Sequence, residues 1–335
     1  MKSIRGFSLL ELLISLVLTS VIFLATSQVY VMIASMDKKV TADNSLTQDL
    51  VILIQKIRRE LNSIGGDIVN PWDVIYVNNN CTAASYPGLP ACGKTDQLTV
   101  ANLSVSAAGT IMSPASVTSY NSGTSKITFN NVPSCPVDAT MVKKHVILIS
   151  NRVLAGFLNS LDLVNCTGQL VVDNQTKFFT TALAADTFAG GYMYFLDPST
   201  LYLDTTTNKL YSFTDTDNSG TINPGESRLL ASGVYDFQVG LGYDTDLDHI
   251  IKDNANTTDE ILYNAVGDSM ATIGGVGATP SQLRQIYFSV VMGTPLLNFK
   301  NQAFQFMDGP QVNVNDVLLV GLVKSLYLRN INVFF

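Results

Sequence analysis

Charge is the scarcest property of this 335-residue chain: Asp, Glu, Lys and Arg together make up only 14% of it. The 20 Lys and Arg residues are outnumbered by 27 Asp and Glu, giving a formal net charge of −7. They form no stripe that could neutralise successive phosphates, so nucleic acid is not an expected partner. Histidine is almost missing, with only His145 and His249. No Gly-x-Ser-x-Gly elbow and no His-Glu-x-x-His pair occurs, and Gly274-Gly275-Val276-Gly277 lacks the strand-and-helix setting of a dinucleotide site, so it reads as a loop. His145 stands at the start of a predicted strand and reads as structural. An enzyme is the least favoured class.

What the chain does have is grease, and it is concentrated at one end. Residues 7–36 carry a single charged side chain, Glu11, and follow a short leader bearing Lys2 and Arg5. As a helix these thirty residues span about 45 Å, more than the roughly 30 Å hydrocarbon core of a bilayer. Basic residues before the span place the leader in the cytoplasm and everything downstream in the periplasm. A secretory signal peptide would be shorter and would end at a small-residue cleavage site, whereas this stretch runs on into a second helical segment. A plain anchor explains the length but not Glu11, because a carboxylate in lipid costs several kcal/mol.

That second segment is amphipathic. Leu46, Leu50, Leu53, Ile54, Ile57, Leu61 and Ile64 recur at spacings of three and four, with Asp49, Lys56, Arg59 and Glu60 on other faces. Gly65-Gly66 supplies the stop. Beyond it, short β-branched and aromatic runs alternate with turn residues: 97–105, 125–129, 145–150, 192–196, 233–243 and 286–292. The polar stretches 78–94 and 107–124 read as loops. The lone Trp72 is expected to pack near the junction of helix and head.

Four cysteines, Cys81, Cys92, Cys135 and Cys166, fall on the predicted periplasmic side, where thiols oxidise. Three pairings are possible; Cys81 with Cys92 and Cys135 with Cys166 are favoured because each pair bounds a local loop. Zinc is the rival, but no close Cys-x-x-Cys spacing is present.

Residues 215–226 match the twelve-position EF-hand calcium loop. Asp215, Asp217 and Ser219 would supply side-chain oxygens, Thr221 a carbonyl, Asn223 a water-bridged contact and Glu226 a bidentate cap, with Gly220 at the sharp bend. The flanks read as strands, so the similarity is to the loop alone, and a solvated acidic turn is the competing reading. Asp244, Asp246 and Asp248 alternate in a weaker second candidate that has His249 where glycine should stand. Calcium is thus the one expected cofactor, in a structural role.

The string Gly6-Phe7-Ser8-Leu9-Leu10-Glu11-Leu12-Leu13 resembles the class III signal of type IV prepilins and pseudopilins. The resemblance implies cleavage between Gly6 and Phe7 by a membrane-embedded prepilin peptidase and N-methylation of Phe7. It also implies a role for Glu11, fifth residue of the mature chain, in pairing with a subunit's terminal amine and setting axial register. Residues 58–66, 95–100, 210–212, 233–246 and 326–330 resemble islands of the PilW family of minor pilins. The fold so implied is α+β and type IV pilin-like: leader 1–6, membrane and filament-core helix 7–36, amphipathic helix 37–64, and a large, mainly antiparallel β head 65–335. The implied function is a minor pilin that joins a tip or priming complex. It would be anchored in the inner membrane by a single pass with a periplasmic head, then carried to the pilus tip at the cell surface. Its implied partners are other minor pilins, the major pilin and a tip adhesin. A minor pseudopilin of a type II secretion system and a membrane-tethered adhesin are the alternatives.

A peptidase that draws extended backbone into its site needs Gly6 bare. Gly6→Val is therefore expected to slow leader removal, so that mass spectrometry of the membrane form finds chains still starting at Met1, while the unsubstituted protein starts at Phe7. An unsubstituted protein that keeps Met1 in cells with active peptidase overturns the cleavage assignment.

Overall fold

The computed structural model describes residues 9–61, 75–78, 95–104, 112–130, 134–142, 144–149, 153–171, 188–214, 223, 225–244, 251, 260–262, 283–296, 303–305, 307 and 311–327. Its first element, α1 (Leu9–Leu61), is an unbroken helix of 53 residues, about 80 Å long. Neither Pro nor Gly interrupts it, so nothing forces a kink. Arg58 and Arg59 in its last turn oppose the partial negative charge of that end. Ile64, Gly65-Gly66 and Trp72 lie outside the described residues.

Every strand pairing among the described residues is antiparallel. One strand organises the larger sheet: β8 (Phe188–Asp204), 17 residues long. Along one side it pairs first with β3 (Ala115–Asn121) and then with β2 (Gln97–Leu103), and β1 (Ile75–Asn78) lies beyond β2. Along the other side it pairs first with β5 (His145–Ile149) and then with β9 (Lys209–Thr214), and β10 (Ser227–Ser232) lies beyond β9. The strands β4 (Lys126–Phe129), β7 (Thr167–Val171) and β6 (Val153–Asp162) lead from β3 round to β5. The first half of β8 therefore closes a barrel in the order β8-β3-β4-β7-β6-β5, and its second half belongs to the open sheet β1-β2-β8-β9-β10.

The changeover on β8 has its own chemistry. Leu196 pairs with His145 of the barrel and Ser199 with Thr214 of the open sheet, and Asp197-Pro198 falls between them. The Phe195 carbonyl accepts from Ser104 N–H on the β2 side, so by alternation the Pro198 nitrogen faces the gap between β5 and β9. A missing N–H costs nothing there. Asp197 is also ion-paired with Lys144, immediately before β5.

Each half has its own core. Val117, Tyr120, Ile127, Phe129, Leu148 and Phe195 are among the side chains that fill the barrel. Cys166 in this core and Cys135 packed against it join in a disulfide with Cα atoms 5.6 Å apart, tying the stretch before the 3-10 turn Ala139–Met141 to the β6–β7 turn. In that turn the Asp162 carboxylate accepts from the Val164 and Asn165 N–H groups and from the Asn165 side chain. These bonds, Asn165's foremost, hold its pKa below the usual carboxylate value.

The second sheet runs β12 (Glu260–Leu262), β11 (Val234–Tyr243), β13 (Leu283–Pro295), β16 (Val317–Tyr327). Its one face, with Phe237, Val239, Phe288 and Val290, shares a core with the open sheet and α1. On the other face a hairpin of β14 (Ala303–Phe304) and β15 (Val312–Asn313) packs Phe304 and Val312 near Val291, Val317 and Leu319. One residue, Gly233, carries the chain from β10 to β11, at φ 72°. A Cβ there would stand 2.7 Å from the Gly293 carbonyl oxygen, so only glycine fits. The two sheets are also stitched by Asp96, fully buried, whose N–H donates to Phe237 O at 2.9 Å and whose carboxylate accepts from Val239 N–H at 2.6 Å.

The α+β, pilin-like arrangement of a long apolar helix followed by a large antiparallel head is thus present, with differences in detail. The expected loop 107–124 contains β3. Its inward residues Ala115, Val117 and Tyr120 are buried, but outward Ser, Thr and Asn make the run read as polar, and a bulge between Val117 and Ser119 breaks the period of two. The short run expected at 192–196 is part of the much longer β8. Cys81, Cys92 and residues 79–94 lie outside the described residues, as do Gly274–Gly277.

The chain-entropy argument for a 31-residue separation gives the Cys135–Cys166 bond about 3–4 kcal/mol. The variant Cys135→Ala with Cys166→Ala is expected to lower head stability by that order in denaturant unfolding. A loss under about 1 kcal/mol would show that the barrel core alone holds its closure.

Candidate functional site: the exposed helix and its docking to the head

The helix divides by what covers it. From Leu46 onward Leu46, Leu50, Leu53, Ile57 and Leu61 are buried, all in the shared core with Phe237 and Phe288. Ile54 is half-buried, at the margin of the same stripe. Against this stripe lie β16, β13 and β10. Three polar contacts fix the stripe's edge: Lys56 Nζ donates to Leu230 O at 2.6 Å, Glu60 is ion-paired with Arg228, and Ser212 Oγ donates to Glu60 at 3.4 Å.

Toward the N-terminus the same helix is bare. Leu9, Leu12, Leu16, Ile22, Phe23 and Ile33 are among a continuous series of exposed large apolar side chains. An exposed apolar surface of this length is not stable in water and calls for lipid or packed helices. Its hydroxyls are prepared for such a medium. Ser15, Ser20, Thr26, Ser27 and Ser35 each donate to a carbonyl three or four residues back, at 2.7–2.9 Å. Thr19 does the same to Ser15 O. No hydroxyl in this group then needs water. Glu11 lies exposed in the first turn, the one acidic group between Leu9 and Met36. Gly6 and Phe7 lie outside the described residues.

Residues 1–27 match the family described as the prokaryotic N-terminal methylation motif. The chain is a type IV pilin- or pseudopilin-like protein. The motif implies processing by a prepilin peptidase, anchoring in a membrane before assembly, and assembly with pilins into a pilus-like fibre. Pilin-like proteins are generally structural subunits and not enzymes. No curated protein and no solved structure matches the chain.

The other candidate residues of this prepilin-like protein are distributed over the head. The loop 215–226 joins β9 to β10, so its flanks are strands. Thr214 N–H donates to Glu226 O at 3.0 Å and closes the hairpin at the loop's ends. Glu226 then folds back: its N–H donates to Asn223 O at 3.1 Å, and its carboxylate accepts from Asn223 N–H at 2.9 Å. Gly225, at φ 96°, permits this turn. Asp215, Asp217, Ser219 and Thr221 lie outside the described residues. Among the described residues no group of three or more His, Cys, Asp or Glu is gathered as for a metal.

The second acidic run divides differently from its appearance in sequence. Asp244 is fully buried and faces Arg284, Nε to carboxylate 3.4 Å, so its carboxylate takes part in an internal ion pair. Asp246, Asp248 and His249 lie outside the described residues. His145 is buried in β5 with its ring edge-on to Phe157, centroids 5.6 Å apart, a packing role. One further spacing, Gly88-x-x-x-x-Gly93-Lys94-Thr95, fits a phosphate loop, which needs a helix directly after it. Strand β2 follows from Gln97, so no helix N-terminus is there to receive a phosphate.

The Lys56, Glu60 and Arg228 contacts join the helix to the head; the spacing put Lys56 and Glu60 only on the polar faces of the helix and did not single out Arg228. Their only signal is that they are charged, in a chain where charge is rare. Magnitudes separate them from the stripe: an exposed ion pair contributes about 0–1 kcal/mol, a buried leucine about 2–5. Leu53→Ala is expected to cost about 2–5 kcal/mol of head stability and Arg228→Ala less than about 1, by urea unfolding of the detergent-solubilised chain. Equal losses would mean that the polar pins hold the helix to the head.

Proposed function

We propose that this protein is a minor pilin of the PilW kind, placed in the tip or priming complex of a type IV pilus, with a head stabilised by calcium. The carrying observation is the helix, bare and apolar over its first half and locked under a large head over its second. A subunit repeated along a fibre must let heads stack at a short axial interval. A head that adds a closed barrel with its own core to a helix-packed sheet is better suited to a terminal position, where one side is free of neighbours. The PilW assignment is supported by the sequence islands, of which 95–100 and 210–212 fall in and beside β2 and in β9. It would sit in the inner membrane and pass to the pilus tip, among other minor pilins, the major pilin and a tip adhesin.

Glu11 in this reading compensates the methylated amine of Phe7, its own or a neighbour's, when helices pack and water is lost. Glu11→Gln removes a charge from lipid, so membrane insertion is retained, while recovery of the subunit in sheared pili falls. Undiminished recovery would remove the register role from this carboxylate.

Calcium is proposed at Asp215, Asp217, Ser219, Thr221, Asn223 and Glu226. The reading is supported by the hairpin that brings the two ends of the loop together and by the inward turn of Glu226 toward Asn223. Calcium bound only to the folded chain at 100 times its dissociation constant adds about 2.7 kcal/mol, and an extracellular-type site of about 10⁻⁴ to 10⁻³ M would suffice. The full chain in detergent is expected to melt higher with calcium than with magnesium or chelator, and the variant Asp215→Ala with Glu226→Ala to lose that response. A melting temperature indifferent to calcium makes the segment an acidic turn only.

A further inference from the structure

We infer that the outer edge of β16 is a strand-pairing surface for the head of a neighbouring prepilin-like subunit, an inference that rests on the fibre-subunit reading above. β16 is the terminal strand of its sheet, 11 residues long and paired along its whole length with β13 on one side. Among the described residues, nothing donates to or accepts from its backbone on the other side. Val320 is half-buried against the helix-bearing core, but residues 322–324 are exposed on both faces; Leu322 is 37% and Val323 41% exposed. Side chains of consecutive residues point to opposite faces, so exposure of both means that the strand protrudes as a ridge.

Among the described residues the β10 edge is protected and the β16 edge is not. At β10 the Leu230 carbonyl is taken by Lys56 and Arg228 is paired with Glu60, so the helix side chains occupy that margin. β1 and β12 are short, with 4 and 3 residues. Against these, β16 offers Val320-Gly321-Leu322-Val323 with one gatekeeping charge, Lys324. A long, apolar, unpaired edge is a template for another strand, and natural proteins blunt such edges unless a partner takes them.

The occupant follows from where the edge is held. β16 packs directly on α1, with Leu318 and Leu326 in the core that holds Leu50 and Leu53. When bare helix halves gather side by side, the distance of β16 from their bundle is fixed by this packing. Its ridge is thereby carried to the flank of the next head, continuous with the helix contact. The partner is a subunit with the same type of anchor, contributing an extended segment that pairs its backbone with Val320–Lys324. An acidic side chain opposite Lys324 would complete the match.

The test uses the full chain in piliated cells, with a photoreactive phenylalanine analogue placed singly at Leu322, at Val323 and, as a fibre control, at Val21 on the bare helix. The expected result is that sheared fibres yield crosslinks from the β16 positions to an extended segment of a chain bearing the methylation motif, identified by mass spectrometry of the joined peptides. Prolines at 322 and 323 give the second readout, since in an antiparallel ladder only one of the two adjacent N–H groups points outward. The proline that faces β13 should lower the melting temperature of the head. The other should leave it unchanged and abolish the β16 crosslink introduced at the remaining position. Crosslinks from Val21 with none from β16, or β16 crosslinks only to chains without the motif or to lipid, overturn the inference and leave the fibre reading standing. Absence of the chain from fibres and of crosslinks from all three positions overturns both.

Discussion

Five apolar side chains of one helix, Leu46, Leu50, Leu53, Ile57 and Leu61, connect the two worlds this protein occupies. On their side the helix is sealed under two sheets; from Leu9 to Met36 its large apolar side chains are exposed among the described residues. Because the helix has no Pro or Gly to bend at, the angle set by this stripe is inherited by everything toward Leu9. The hydrophobic effect thus acts twice on one rod: within the chain it orients the head, and outside it requires lipid or other helices to finish the burial.

The head resolves a second constraint through β8. A barrel and an open sheet each need a central strand, and the chain supplies both from one 17-residue run by changing neighbours half-way. The changeover is marked by a residue that has no N–H to waste, Pro198, and by a charge pair, Lys144 with Asp197, where the two sets of partners meet. Neither core intrudes on the other: the barrel is filled by Tyr120, Phe129 and their neighbours, the helix-bearing core by Phe237, Phe288 and theirs.

How much of this was readable in advance depended on which forces were local. The helix was legible because its period and its lack of breakers are properties of consecutive residues, and the strands at 97–103, 234–243 and 283–295 because they are rich in Val, Phe and Leu. The N-terminal motif was legible for the same reason. β3 was not: its outer residues Ser116, Thr118 and Asn121 face away from the barrel core, and polarity on that face resembles a loop. The barrel as such was invisible, since ring closure joins β8 to β5 across more than forty residues of sequence. Asp244 read only as part of an acidic run, and its ion pair with Arg284 was hidden because only the fold brings the two together. Glu60 and Arg228 were hidden likewise, by a sequence gap of 168 residues.

The sharing of β8 also bears on mechanics. A tension directed along that strand, entering at the barrel and leaving through α1, would reach the open sheet as shear on its ladders with β2 and β9, each of six paired positions. Paired positions loaded in shear yield together and not one after another. A barrel joined to the sheet only by a flexible connection would instead swing until the load fell on the connection. One strand common to both bodies makes the barrel and the open sheet a single mechanical element.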